Sequence, residues 1–108
     1  MKHYMIVETR DPFEQHDTEW LAVLAAGLKR GGAKSAVMLA ENGVFAARAS
    51  AAAAPLQTLT RAGVDVFADR FALRERGIRD AELALGVKPA DLDLVVDQLE
   101  AGAIVMFR

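Results

Sequence analysis

The chain has 108 residues, 53% of them hydrophobic and 26% charged, with a formal net charge of −2 and no cysteine. That length predicts a single domain, 1–108, burying roughly 65% of the surface its unfolded form exposes. The composition excludes global disorder. The slightly acidic balance leaves no electrostatic footprint for nucleic acid, and the missing thiols exclude disulfides, thiolate metal sites and a thiol nucleophile.

The run Tyr4-Met5-Ile6-Val7 predicts a first strand, ending in a polar loop from Glu8 to His16. The N-terminal apolar run is too short for a signal peptide, and no stretch reaches the ~18 apolar residues of a membrane span. A cytoplasmic protein is therefore expected. Asp17 is a suitable N-cap for a helix whose apolar face carries Trp20, Leu21, Leu24 and Leu28. Lys29 and Arg30 suit its negative end, and Gly31-Gly32 stop it.

Ala36 to Ala40 reads as a second strand, covered on both faces. The turn Glu41-Asn42-Gly43 follows, then an alanine-rich tract, Ala46 to Ala54, which propensity predicts to be helical. Pro55 should open another short helix, stopped by Gly63. Val64 to Phe67 predicts the third strand and Phe71 to Arg76 a short helix closed by Gly77. Ile78 to Gly86 fits either a helical turn capped by Asp80 or a short edge strand. Pro89 is expected to open a helix with Leu92, Val95, Val96 and Leu99 on one stripe and Gly102 as its stop, before a last strand, Ala103 to Phe107. Alternating strands and helices predict an α/β fold, a three-layer α/β/α domain with a mainly parallel sheet of four to five strands.

The order and spacing of several short segments resemble the DsrE family of sulfur-relay proteins, which includes the Tus and Dsr sulfurtransferase subunits. These segments are Glu41-Asn42-Gly43-Val44-Phe45, Ala62-Gly63-Val64-Asp65-Val66, Arg76-Gly77-Ile78 and the ending Leu99 to Phe107. The resemblance spans nearly the whole chain. It implies a DsrE-like fold, a homo-oligomer (trimer or hexamer) or sulfur-relay-type partner subunits, and a persulfide-carrying cysteine eight residues before Gly77. Asp69 stands there instead. A persulfide needs a side-chain sulfur that a carboxylate cannot replace, so direct sulfur transfer by this chain is excluded. The resemblance then implies a cysteine-less, non-catalytic subunit, or a small-ligand-binding or assembly partner.

Ligands of open parallel sheets sit outside the carboxyl ends of the strands. The candidates at that edge are Arg10, Glu41, Asn42, Asp69 and Arg70. Asp69 follows a strand and precedes a helix, so it is either an acid/base group or an N-cap, and the cap is favoured. The alternative function is a small enzyme in which Asp69, with Glu41 or Arg10, works as acid/base on a small polar substrate. Glu41 and Asp69 could pair as carboxylates, whereas Asn42-Gly43 is more simply a turn. Arg70, Arg74 and Arg76 could bind an anion or line an interface, against the simpler reading of a solvated face paired with Glu75 and Asp80. Trp20 and Phe45 read as core or interface residues. His16 with Glu14 or Asp17 lacks a metal-ligand spacing, and Gly31-Gly32 follow a helix where a phosphate loop would precede one. No metal or cofactor is expected.

Overall fold

Five apolar runs become five strands in a computed structural model that describes residues 2–11, 18–49 and 54–108. β1 (His3–Glu8), β2 (Lys34–Leu39), β3 (Asp65–Asp69), β4 (Val87–Ala90) and β5 (Ile104–Phe107) form one sheet in the order β4-β3-β2-β1-β5. Every strand pair is parallel, with Val7 beside Met38 and Phe107, Val37 beside Val66, and Asp69 beside Ala90. Parallel neighbours require crossovers. These are supplied by α1 (Thr18–Arg30), α2 (Ala54–Arg61), α3 (Arg70–Glu75) and α4 (Asp93–Glu100), with 3-10 turns at Glu41–Ala47 and Asp80–Glu82. The expected α/β class, parallel sheet and helical layers are all present.

Strand alternation sends side chains to two unequal layers. On one face Ile6, Val37, Leu39, Val66 and Ala68 pack against Ala25 and Ala26 of α1, Leu56 and Leu59 of α2, and Leu73 of α3. Each fully buried leucine or valine there contributes roughly 1.5–3 kcal/mol. The buried Ser35 hydroxyl donates to the Ala25 carbonyl at 3.2 Å, tying α1 to β2 without leaving a polar group unsatisfied. On the other face Met5, Val7, Met38 and Ala40 meet α4, where Val95 is the one buried helix residue.

The alanine tract is not one continuous helix. Ala46 and Ala47 finish a 3-10 turn, Arg48 is extended, and the backbone pairs with a distant segment. Ala84 N–H donates to the Ala47 carbonyl, and Ala49 N–H to that of Glu82. At Ala47 to Ala49 these long-range bonds compete with alanine's intrinsic propensity and win; residues 50–53 lie outside the described residues. Pro89 also departs from expectation, lying inside β4, with the helix starting only at Asp93. β4 is an edge strand, the one sheet position that tolerates a residue without an N–H.

Between Ile78 and Gly86 the helical alternative holds, as a 3-10 turn at Asp80–Glu82, while Leu83 makes only a lone antiparallel bridge to Arg48 outside the sheet. The N-cap is Arg79 rather than Asp80. Its backbone N–H and guanidinium both donate to Glu82 and hold that carboxyl below the usual carboxylate range. Gly102, at a left-handed φ of +91°, ends the α4 segment as expected. The proposed Asp17 cap lies outside the described residues, as do His16, Glu14 and the side chains of Trp20 and Leu21.

The two sheet edges differ in character. β4 presents Lys88 and Pro89, and Lys88 stands 3.9 Å from Asp65 and 6.0 Å from the centre of the Phe67 ring. β5 is Ile-Val-Met-Phe, with Phe107 70% exposed. Charge and proline guard the first edge against foreign strands, and neither guards the second.

Candidate functional site

β3 runs into α3 without a loop, so Asp69 is both the last strand residue and the helix N-cap. Its backbone is extended (φ −65°, ψ 121°) and Oδ2 accepts the Ala72 N–H at 3.2 Å. Asp69 is 5% exposed. Its carboxylate thus fills one of the open amide positions of the first turn, the role favoured from sequence. The next residue, Arg70, is exposed and lies 3.6 Å from Asp91 beyond β4.

The loop after β2 supplies the other candidates. Glu41 is exposed and holds φ +49°, the one left-handed non-glycine among the described residues. Asn42 is exposed too, and its Oδ1 accepts from Arg76 Nε at 3.1 Å and Nη2 at 2.9 Å. Arg76 Nη1 donates in turn to the Ala72 carbonyl at 3.3 Å. Asn42 therefore couples the 3-10 turn to the end of α3 as well as shaping its own turn. Two guanidiniums lie near the Phe45 ring, Arg48 at 5.2 Å and Arg76 at 5.9 Å from its centre, a spacing within cation–π range.

No hydrogen bond links Glu41 to Asp69 among the described residues. Arg76 and Arg79 have local carboxylate neighbours, Glu75 and Glu82, at 3.8 and 3.0 Å; Asp80, the partner anticipated from sequence, is not one of them.

At the end of β1 the arrangement is one that sequence reasoning only brushed. Glu8 is 4% exposed; Oε1 accepts the Arg10 N–H at 3.1 Å, and Oε2 faces Arg108 Nη1 at 3.5 Å. Arg10 itself is exposed, and its bond to Glu8 comes from the backbone N–H. The Arg108 carbonyl accepts from both the N–H and the hydroxyl of Thr9. Gly43 lies against this junction, where an added Cβ would overlap the Glu8 carbonyl oxygen and stand 3.0 Å from its carbon. Residues 8 and 108 are too far apart in sequence for periodicity to pair them, so no local signal could have found the contact.

Among the described residues no group of three His, Asp or Glu side chains could hold a metal ion, and no helix is long and apolar enough to cross a membrane. A family model described as DsrE/DsrF-like family matches residues 2–107. The chain belongs to the DsrE/DsrF-like family. No curated protein matches it. Three solved structures share the DsrE-like fold along nearly all of their length. The ychN protein of E. coli is 21% identical with a TM-score of 0.83, covering 100% of both chains. MTH1491 of Methanobacterium thermoautotrophicum, a protein of unknown function, is 19% identical with a TM-score of 0.83, covering 99% of this chain and 98% of that one. BT1422 of Bacteroides thetaiotaomicron, a conserved protein of unknown function, is 18% identical with a TM-score of 0.82, covering 99% and 95%. At these identities the likeness is one of fold.

Proposed function

We propose that this DsrE-like chain is a non-catalytic, homo-oligomeric subunit of the cytoplasm, an assembly partner of the sulfur-relay type that carries no sulfur itself. One observation carries the reading: Asp69, at the position of the family's persulfide cysteine, is buried and engaged as the N-cap of α3. Persulfide formation requires a thiolate that attacks a sulfur donor and retains the new S–S bond. A carboxylate has no such sulfur, and the four methionine thioethers have no S–H to ionise. The oligomeric part rests on large apolar side chains left at the surface, Phe71, Leu92, Val96, Leu99 and Phe107 among them. Incubation with a persulfide donor, followed by intact-mass measurement without reductant, is expected to leave the mass unchanged. A stable gain of one sulfur atom overturns the reading.

Backbone strain favours a second reading. Glu41 holds its left-handed φ at the carboxyl edge of the sheet, a conformation costing about 1–3 kcal/mol and concentrated at functional sites. In this reading Asp69, with Glu41 or Arg10, transfers a proton to or from a small polar substrate. Asp69→Asn separates the two roles, because asparagine caps a helix as well as aspartate but cannot act as acid or base. If a substrate screen finds turnover, the enzyme reading expects this substitution to lower it about 100-fold or more. Unchanged turnover sinks that reading and leaves the cap.

A further inference from the structure

We propose that the outer face of α4 docks head-to-tail into a groove beside α1 of a second copy of this chain. The inference rests on the homo-oligomeric reading above and names the two surfaces that would make the contact.

The first surface is a stripe. Leu92, Val96 and Leu99 are 48%, 52% and 51% exposed, and their i, i+4, i+7 spacing puts them on one line along the helix. Asp93, Asp97 and Glu100 are exposed at the same spacing and form the adjacent line. The segment from Asp91 to Glu100 contains no basic residue. A helix of this pattern recognises an apolar groove with a basic rim.

Such a groove, about 630 Å³, opens at the amino end of the sheet. Tyr4, Val23, Leu24 and Gly27 are among its apolar lining, and Lys2 and Arg30 stand at its rim. Val23 is 69% exposed, leaving most of its apolar surface uncovered. Gly27 presents no side chain, and a Cβ there would meet nothing closer than Arg30 Nη2 at 3.9 Å, leaving room for an approaching helix.

Charge chooses the occupant. The acidic line of α4 complements the Lys2 and Arg30 rim, whereas two α4 faces meeting about a two-fold axis would set carboxylates against carboxylates. The groove lies on the α1 side of the sheet and the stripe on the α4 side, so one chain cannot satisfy both by itself. Each copy offers one of each surface, the geometry of a heterologous, head-to-tail contact.

The test is solution mass by light scattering, with circular dichroism confirming the fold. Wild type is expected above the mass of one chain. Val96→Asp and Gly27→Leu are each expected to fall to a monomer, and their equimolar mixture to form a dimer, because each variant retains one intact surface. Arg30→Glu, an exposed change in the groove, replaces Gly27→Leu if that variant fails to fold, and Asp97→Lys, an exposed change beside the stripe, replaces Val96→Asp. The two combined in one chain should restore assembly. Oligomers that survive both single variants overturn the inference and leave the oligomeric reading standing. Monomeric variants that do not pair on mixing also overturn it, since they point to a two-fold patch or another partner. A monomeric wild type removes the oligomeric reading itself, and the inference with it.

Discussion

Gly43→Ala is expected to destabilise the domain by about 3 kcal/mol, at the upper end for overpacking, and to lower the melting temperature by roughly 10–20 °C. The cause is steric. Gly43 is not among the glycines at positive φ, so alanine could adopt its backbone angles. Its methyl group, however, would overlap the Glu8 carbonyl oxygen, which already accepts the Ala40 N–H at 2.9 Å. Gly43 N–H donates to the Ala40 carbonyl at 2.8 Å, so the turn cannot retreat without breaking a bond at the end of β2. Backbone on both sides leaves no flexible side chain to yield. Gly77→Ala is the control: a Cβ there meets nothing within 4 Å, so alanine bears only the cost of the left-handed φ of +67°, about 1–2 kcal/mol. Thermal unfolding of both variants measures the difference, and a Gly43→Ala loss below about 1 kcal/mol would mean that the junction yields easily.

Arg108→Ala is expected to cost about 2–4 kcal/mol. Removing one partner of a buried ion pair leaves the other charge without compensation, and Glu8 Oε2 accepts no hydrogen bond among the described residues. The estimate sits at the lower end for buried pairs because the Arg108 side chain is 18% exposed, against 5% for Glu8. Glu8→Gln combined with Arg108→Met should recover much of the loss, since it removes both charges together. Urea unfolding of Glu8→Gln, Arg108→Met and the double variant forms the cycle. Strictly additive losses would show that the two charges do not support one another.

What the sequence revealed followed the range of each interaction. The strand cores, the packing of Leu24 and Leu28 from α1 and the Asp69 cap were legible because their determinants lie within a few residues, as with Asp69 and the Ala72 amide. The alanine tract misled because its backbone pairs with residues 82–84, and no local propensity records that partner. Pro89 misled because a helix start and an edge strand tolerate proline for the same reason, the missing N–H. Among the candidate site residues Asn42 was readable as a turn former, but its link to Arg76 crosses 34 positions. The Glu8–Arg108 contact joins nearly opposite ends of the chain. Proximity of that kind exists only once the sheet has formed.

Unequal cover of the two sheet faces divides the molecule by how readily it opens. α2 is held by Leu56 and Leu59 and α3 by Leu73, all within one continuous core, while α4 is pinned chiefly by Val95 with half-buried Leu94 beside it. Few buried apolar contacts mean a low free energy of local opening. α4 is thus expected to open locally ahead of the β1–β2–β3 centre. Hydrogen exchange should show it as faster exchange of the α4 amides than of those in the central strands.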